Sequence, residues 1–493
     1  MHILFRTEAS ATIGLGHAMR CMALAQSCRR AGCVPHFLCS TLSAAFTERL
    51  TSAGIVVHIL HSRPYGAEDA EETAESARTT GASWIVVDGY AFDAHYQTAL
   101  KTHDMRILFI DDYVHAERYA ADIILNQNIY ASAEMYSGKA NEAALLLGTR
   151  YALLRPEFAA AEKDRPLADT ARRILVTLGG ADPEHMTHTV IRALTALQDI
   201  EVKVVIGGAN PHRAIVESAC SGTGMDVVVD AQDMPALMAW ADMAVCGGGT
   251  TCYELACMGV PMLTIVLAEN QRAVAEGLMD AKAAINLGWH AHLTAQTIEH
   301  AVRNLQKDHK LRATMIRKGR ALVDGHGAMR VCLRLSDKKL WLRPVQLQDR
   351  DTLFSWANDP VIRAASFSTD PISWEHHVRW FETKLHDVHC RMFLACNEDA
   401  LPVGQIRFDI REEGDAEIDV HLAPEARGKG YGTALIAEGV CALRASADVH
   451  TVHSFIKINN TASRNAFIKA GFLERKKETV HGEEVYHFVY TYS

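Results

Sequence analysis

The chain has 493 residues, 48% of them hydrophobic and 22% charged, the balance of an ordinary globular protein too long for a single core, so two or three domains are expected. A net charge of −9 excludes a general nucleic-acid binder, because no basic stripe is available to neutralise phosphates; a helix N-terminus can still hold an anion locally. Twelve cysteines with no CxxC pair exclude a zinc ribbon and a disulfide framework and point to reduced, buried thiols.

The opening "MHILFRTEAS" lacks the basic start and apolar core of a secretory signal, and runs such as "PMLTIVLA" are too short to span a bilayer. A cytoplasmic location is therefore expected. The 25 histidines include His290, His292, His376 and His377, but none has a helical partner of the HExxH kind, so no metal is expected.

Short apolar strands alternate with helical stretches from residue 1 to about 330, the pattern of parallel α/β sheets. The first set is "HILF" (2–5), "PHFL" (35–38), "VVHI" (56–59), "WIVV" (84–87), "RILFI" (106–110) and "DIIL" (122–125). A charged, proline-bearing break over 153–173 precedes a second set: "ILVTL" (174–178), "VKVVI" (202–206), "DVVV" (226–229), "MAVC" (243–246) and "MLTIV" (262–266). Two successive doubly wound lobes imply a cleft between them. Beyond about 335 the pattern changes to "RMFLAC" (391–396), "VGQIRFDI" (403–410) and "AEIDVHLAP" (416–424), paired strands of an α+β domain. The expected domains are 1–152, 153–332 and 338–493.

The first loop, "FRTEASATIGLGHAMRCMALAQ", places Gly14 and Gly16 ahead of His17 and a helix in which Ala18, Cys21, Met22 and Ala25 keep one buried face. Met19 stands where a dinucleotide fingerprint needs its third glycine, which argues against NAD or FAD. What remains is a turn that brings backbone amides and His17 to the C-terminal edge of a sheet. The helix macrodipole there disfavours an imidazolium, as a general base requires. A packed histidine closing the turn is the competing reading.

The run "MAVCGGGTTCYELACMGVPMLTIVLAENQ" (243–271) carries Gly247, Gly248 and Gly249 into Thr250 and Thr251 at a helix start, a diphosphate-binding arrangement. Glu254 lies one turn further on the same face, where it can accept hydrogen bonds from a ribose diol. Asn270 and Gln271 reach the same sheet edge after the next strand. "LGGADP", with Gly179 and Gly180, and "IGGANP" add two more glycine turns there.

These residues, with "YALLRPEF", make residues 1 to about 330 resemble the UDP-sugar hydrolases of pseudaminic acid biosynthesis, which have a two-lobed GT-B-like glycosyltransferase fold. The resemblance implies UDP-2,4-diacetamido-2,4,6-trideoxy-β-L-altropyranose as substrate, and attack of water at its anomeric carbon to release UDP. It implies that His17 activates the water and that Arg155 and Glu254 hold the nucleotide. Asn270 and Gln271 would face the sugar or diphosphate, and Tyr90, in "VVDGYAFD", would lie near the sugar.

In the third section, "EIDVHLAPEARGKGYGTALIAEGV" runs a strand through Leu422 into Arg427, Gly428, Lys429, Gly430, Tyr431 and Gly432, with a helix from Thr433. Consecutive amides in such a turn wrap a pyrophosphate. This fits R-x-x-G-x-G, and "NNTASRNAFIKAGF", with Asn460 and Ser463, fits a second motif further on. Residues 338–493 thereby resemble the GNAT acyltransferases, which implies acetyl-CoA as cosubstrate. Acetyl transfer needs a base: Glu417, Asp419 and His421 share one strand face, and of the two acids Glu417 is expected to point at the acceptor. A solvent-facing polar strip is the competing reading. Phe467 stands where many GNAT members have a tyrosine acid, which leaves the donor to the CoA thiolate without an assigned residue.

The GNAT members most similar to this section acetylate the 4-amino group of UDP-4-amino-4,6-dideoxy-N-acetyl-β-L-altrosamine, whose product is the hydrolase substrate. The joint expectation is a bifunctional enzyme of consecutive steps. The alternatives are a GT-B glycosyltransferase, the same pair of reactions on another UDP- or CDP-amino sugar, and a ligand-binding scaffold without turnover.

Overall fold

The computed structural model describes residues 1–9, 16–140, 142–161, 166–179, 182, 184–208, 210–411 and 414–492. By internal contacts the chain divides into two units, Met1–Cys332 and Leu333–Ser493.

The first unit holds two parallel sheets. In one, the strands are β1 (His2–Thr7), β2 (Val34–Cys39), β3 (Val56–Ile59), β4 (Ala82–Asp88), β5 (Ile107–Ile110), β6 (Ile123–Asn126) and β7 (Ala144–Leu147), in the order β3-β2-β1-β4-β5-β6-β7. In the other, β8 (Arg173–Thr177), β9 (Glu201–Ile206), β10 (Asp226–Val229), β11 (Met243–Gly247), β12 (Met262–Val266) and β13 (Ala284–Trp289) are ordered β10-β9-β8-β11-β12-β13. Helices cover both faces of such sheets, so central strands read as unbroken apolar runs: Ile85, Val86 and Val87 of β4 are all fully buried.

Strand order reverses between β1 and β4 in one sheet and between β8 and β11 in the other. In open α/β sheets, ligands settle at the carboxyl ends of the strands beside such a reversal. The loop before His17 follows β1, and Tyr90 follows β4. Gly179 follows β8, and Gly248 to Thr251 follow β11.

Strands β7 and β13 have no counterpart in the sequence-based expectations. Both lie at sheet edges, and each buries a single residue, Leu146 and Ala284 respectively, so neither carries the apolar run of an inner strand.

The second unit is one sheet of β14 (Trp341–Pro344), β15 (Cys390–Cys396), β16 (Pro402–Ile410), β17 (Asp415–Leu422), β18 (Thr451–Lys457), β19 (Leu473–Val480) and β20 (Glu483–Thr491). Its order is β14-β15-β16-β17-β18-β20-β19, antiparallel except for the pair β17–β18. The helix Tyr431–Ser446 packs Leu435, Ile436, Val440 and Leu443 into this core. It comes so close that a Cβ on Gly439 would stand 2.2 Å from Ile406 Cδ1, so any larger residue there would force the Ile406 side chain to move.

The parallel pair explains the cavity of this unit. Strands β17 and β18 pair only at Asp415–Thr451, Ala416–Val452 and Glu417–His453. Beyond Glu417 they splay, while β16 stays paired to β17 as far as Leu422 and β20 stays paired to β18 as far as Lys457. The wedge between Ile418–Leu422 and Ser454–Lys457 opens into a cavity of about 720 Å³.

Candidate functional sites

In the first unit the site begins with a buried charge. Asp88 ends β4 with no exposed surface and receives the Arg20 guanidinium in two bonds of 2.6 Å, Nε to Oδ2 and Nη2 to Oδ1. Burial alone would raise this carboxyl, but Arg20 and His17 outweigh it and hold Asp88 well below the usual carboxylate range. An ionised carboxylate can only accept, so in the neutral ring His17 Nδ1, 2.8 Å from Asp88 Oδ1, is the nitrogen that carries the proton and Nε2 the one that keeps the lone pair. Arg20 Nη1 continues 2.7 Å to Asp112 Oδ1, and Tyr90 donates its hydroxyl to Asp112 Oδ2 at 2.7 Å. Burial and the Asp112 charge push the Tyr90 phenol up. The Tyr90 ring stands edge-on to His17 with centroids 4.7 Å apart, and is 38% exposed, so it presents a face to solvent.

The second sheet supplies the facing half. Asn270, exposed after β12, reaches the Tyr90 hydroxyl. Its neighbour Gln271 turns inward: Oε1 accepts from Leu267 N at 3.0 Å and from Gly248 N at 3.1 Å. Gly248 N–H is also bonded to Ile265 O, and a Cβ on Gly248 would meet Gln271 Cβ at 3.2 Å. The expectation that Gly248 contacts substrate directly is corrected, since Gly248 is buried with its amide spent; the Gln271 carbonyl oxygen braces the turn, and its Nε2 lies on the Gly249 side, 4.0 Å from where a Cβ of that glycine would stand. The amides of Gly249, Thr250 and Thr251, at the start of the helix Thr251–Met258, find no acceptor among the described residues. These are the donors the turn offers to an anion.

Glu254 lies half-buried one turn into that helix. Burial pushes its carboxyl up to about 7, while Arg155 and Arg49 draw it down and Glu157 adds to the rise. Arg155, 4% exposed, stacks over Phe158 and has Nη1 2.8 Å from Glu157 Oε1, yet its Nε and Nη1 find no hydrogen-bond partner among the described residues. Tyr253 on the same helix ties the two sheets together by accepting from Ile129 N at 3.1 Å and meeting Asn128 Oδ1 at 3.3 Å. The structure thus assembles His17 with Tyr90 and Asn270, and Glu254 with Arg155. Gly16 is exposed at the helix start, and Gly179 is exposed with a φ of +93°. Gly14 and Gly180 lie outside the described residues.

Sequence reasoning missed Asp88, Arg20 and Asp112. The signal was available: "WIVVD" and "FIDD" each end an apolar strand on an acid at the sheet edge where ligands bind.

In the second unit the glycine turn and the wedge share the 720 Å³ cavity. Leu422, Arg427, Gly428, Gly430, Gly432, Thr433, Asn460 and Ser463 line it; Lys429 is exposed and Tyr431 packs against the hydrophobic core instead. Gly428 and Gly430 adopt φ of +73° and +79°, and the amides of Gly428, Lys429 and Gly430 find no acceptor among the described residues. Arg427 is anchored by Asp359, 2.6 Å from Nη2. Asn460 accepts from Ser463 N at 3.1 Å, so this motif pair caps the helix Thr461–Lys469.

The choice of Glu417 as base is corrected. It is the last residue paired before the wedge opens, its carboxylate is tied to Arg411, and it does not line the cavity. Asp419 and His421, two and four residues on, do. Burial opposes the charge on Asp419, yet Arg407 and His421 hold its carboxyl far below the ordinary range. Among the described residues no group of three or more His, Cys, Asp or Glu side chains could hold a metal ion. No helix of the described residues is long and apolar enough to cross a membrane.

Residues 173–326 match the family model of the glycosyltransferase family 28 C-terminal domain, and residues 339–473 that of the acetyltransferase (GNAT) domain. A glycosyltransferase-28-like unit is fused to a GNAT domain. Among relatives, the chain is 28% identical over 342 residues to the spore coat polysaccharide biosynthesis protein SpsG of Bacillus subtilis, covering 68% of this chain and 98% of that one. It is 22% identical over 281 residues to the UDP-2,4-diacetamido-2,4,6-trideoxy-beta-L-altropyranose hydrolase of Campylobacter jejuni, covering 56% and 96%. The crystal structure of Acinetobacter baumannii MurG superposes with a TM-score of 0.50 at 16% identity, covering 68% of this chain and 99% of that one, a likeness of fold. The fold is thus two Rossmann-like sheets arranged as in GT-B proteins, followed by a GNAT-like domain.

Proposed function

We propose that the chain catalyses two consecutive steps on one nucleotide sugar. Its GNAT domain acetylates the 4-amino group of UDP-4-amino-4,6-dideoxy-N-acetyl-β-L-altrosamine, and its first unit hydrolyses the resulting UDP-2,4-diacetamido-2,4,6-trideoxy-β-L-altropyranose. The observation that carries the hydrolase reading is the His17–Asp88 pair at the strand-order reversal. In the hydrolysis, His17 Nε2 takes a proton from water, whose oxygen forms a bond to the anomeric carbon. The bond from that carbon to the diphosphate oxygen breaks, and UDP departs with its electron pair. Amides of Gly249, Thr250 and Thr251 receive the growing charge, which is how preorganised donors lower such a barrier. Arg155 and Glu254 hold the nucleotide, and Tyr90 with Asn270 borders the sugar.

For the acetyl transfer, the unpaired edges of β17 and β18 accommodate the extended arm of acetyl-CoA, whose diphosphate sits on the 428–430 amides. The Campylobacter relative supports the choice of sugar, and the glycosyltransferase family match supports the nucleotide lobe.

Mass spectrometry of full-length protein given acetyl-CoA and the UDP-4-amino sugar tests both steps. Wild type releases UDP and free diacetamido sugar, and His17→Ala stops at the acetylated UDP-sugar. Acetylation without UDP release by the wild type overturns the hydrolase half, and transfer of the sugar to an added acceptor marks a glycosyltransferase instead.

A further inference from the structure

Two buried polar atoms in the GNAT cavity have no partner among the described residues: His421 Nε2 and Gln405 Nε2. They belong to residues that face each other across antiparallel strands, since Gln405 of β16 is in register with His421 of β17. Gln405 is only 2% exposed, and both residues line the wedge. Leaving such groups unpaired costs about 1–3 kcal/mol each, so a pair of them in the wall of one cavity marks a place where a ligand supplies the missing partners.

The histidine is also oriented. Its Nδ1 lies 3.9 Å from Asp419 Oδ1, its ring stands edge-on to Trp356, and Asp419 is kept ionised by Arg407, whose Nη2 is 4.0 Å away. An ionised Asp419 favours the tautomer with the proton on Nδ1, which leaves the lone pair on Nε2, the atom buried in the cavity wall without a partner among the described residues. The other charged or titratable groups on the cavity wall are Arg363, His376, His377, Arg427, Lys457 and Lys469. All are basic side chains, so among the described residues Asp419 is the single carboxylate on that wall.

We propose that His421 is the catalytic base of the acetyl transfer, that Asp419 is its positioning residue, and that Gln405 donates a hydrogen bond to an oxygen of the acceptor beside its amine. This rests on the acetyltransferase reading above and moves the base from Glu417 into the wedge. The acceptor arrives as an ammonium. His421 Nε2 takes one proton, and the freed nitrogen lone pair forms the C–N bond to the thioester carbonyl carbon. When the tetrahedral intermediate collapses, the C–S bond breaks with its electron pair on sulfur. The second nitrogen proton ends on that sulfur to give the CoA thiol, and the imidazolium returns its proton to solvent. The acceptor class is a primary amine with an adjacent hydroxyl or acetamido oxygen.

The test uses full-length His421→Gln and Gln405→Met, with acetyl-CoA and the UDP-4-amino sugar. We expect His421→Gln to lower kcat on the order of 10²–10³-fold, the range of general-base catalysis, with acetyl-CoA affinity within about twofold of wild type, and to lose the acidic limb of the kcat/KM profile. Added imidazole should restore part of the rate of His421→Ala. Gln405→Met should raise the acceptor KM about tenfold, the cost of one hydrogen bond of this kind, and keep the acidic limb. A His421→Gln enzyme with wild-type kcat and an intact limb overturns the assignment while leaving the acetyltransferase reading in place. A wild type that binds acetyl-CoA but does not acetylate this sugar overturns the acceptor instead. The base is then judged by nitrogen NMR of histidine-labelled protein, with His421 identified by its absence in His421→Gln: a proton on Nδ1 supports the assignment, and one on Nε2 overturns it.

Discussion

Asp88, the last residue of β4, and Asp112, two residues past the end of the adjacent β5, grip one guanidinium, that of Arg20, whose Nε and Nη2 reach Asp88 at 2.6 Å and whose Nη1 reaches Asp112 at 2.7 Å. The clamp makes Asp88 a permanent acceptor for His17 Nδ1 and makes Asp112 a permanent acceptor for Tyr90. Charge compensation in the floor of the site thus fixes the hydrogen-bonding roles of two side chains above it.

The first prediction follows from that clamp. Asp88→Asn removes the charge that selects the Nδ1–H tautomer, and kcat for UDP release should fall on the order of 10²–10⁴-fold with KM nearly unchanged. Because Arg20 loses half its compensation, the variant should also lose stability, by up to about 3–5 kcal/mol. Steady-state kinetics below the melting transition, set beside thermal melts, separates the two effects. A full-speed Asp88→Asn enzyme would remove the dyad from the mechanism.

A second prediction concerns pH. The carboxyl of Glu254 is raised to about 7 by burial, above the roughly 4.3 of an unfolded glutamate. The folded chain therefore holds an extra proton between those values. Its stabilising contribution is full below the unfolded value and is lost as pH rises through 7. Glu254→Gln cannot titrate, so relative to that variant the wild type should lose melting temperature between pH 5 and pH 8. A ribose diol donates to the ionised form, so UDP affinity of the wild type should rise with pH over 6–8. Calorimetry with UDP should find that rise missing in Glu254→Gln, and an equal rise in both proteins would place the titrating group elsewhere.

The glycine turn of the GNAT domain gives a third. Gly430 has a φ of +79° at the start of the helix Tyr431–Ser446, and a Cβ there would meet Lys339 Nζ at 3.2 Å. Alanine in that conformation costs roughly 1–2 kcal/mol. Gly430→Ala should weaken CoA binding about tenfold and leave hydrolysis of pre-acetylated UDP-sugar at the wild-type rate. Coupled loss of both activities would contradict independent sites.

The inner strands were legible because a strand covered on both faces must be apolar throughout, and "WIVV" or "MLTIV" has no other use. Edge strands β7 and β13 were not, since an exposed edge relaxes that demand. The glycine turns and His17 stood out because few residue types serve an anion turn or a base. Asp88 and Asp112 had a local signal in the acids that follow apolar strands, but their shared contact with Arg20 was hidden: the partners lie 68 and 92 residues apart in sequence, and no local pattern carries a contact that strand order alone creates. Glu417 was misjudged because alternation fixes the face of a strand but not where its neighbour departs, and the splay after Glu417 is what decides which acids reach the cavity.

The last prediction separates bracing from binding at Gln271, whose Oε1 accepts from both Gly248 N and Leu267 N. Gln271→Ala leaves Leu267 N without that partner and loosens the turn, at a cost of about 1–3 kcal/mol, so both melting temperature and UDP affinity should drop. Gln271→Glu keeps an oxygen in the same place, so the turn stays braced and the melting temperature stays close to wild type. Its new negative charge, however, faces the anion that Gly249, Thr250 and Thr251 are arranged to receive. UDP affinity should then fall further than in the alanine variant at low salt, and the gap should close as salt screens the repulsion. Melts and UDP titrations at two ionic strengths make the comparison. Equal losses in both variants at both salts would mean that Gln271 touches the nucleotide itself rather than the turn that holds it.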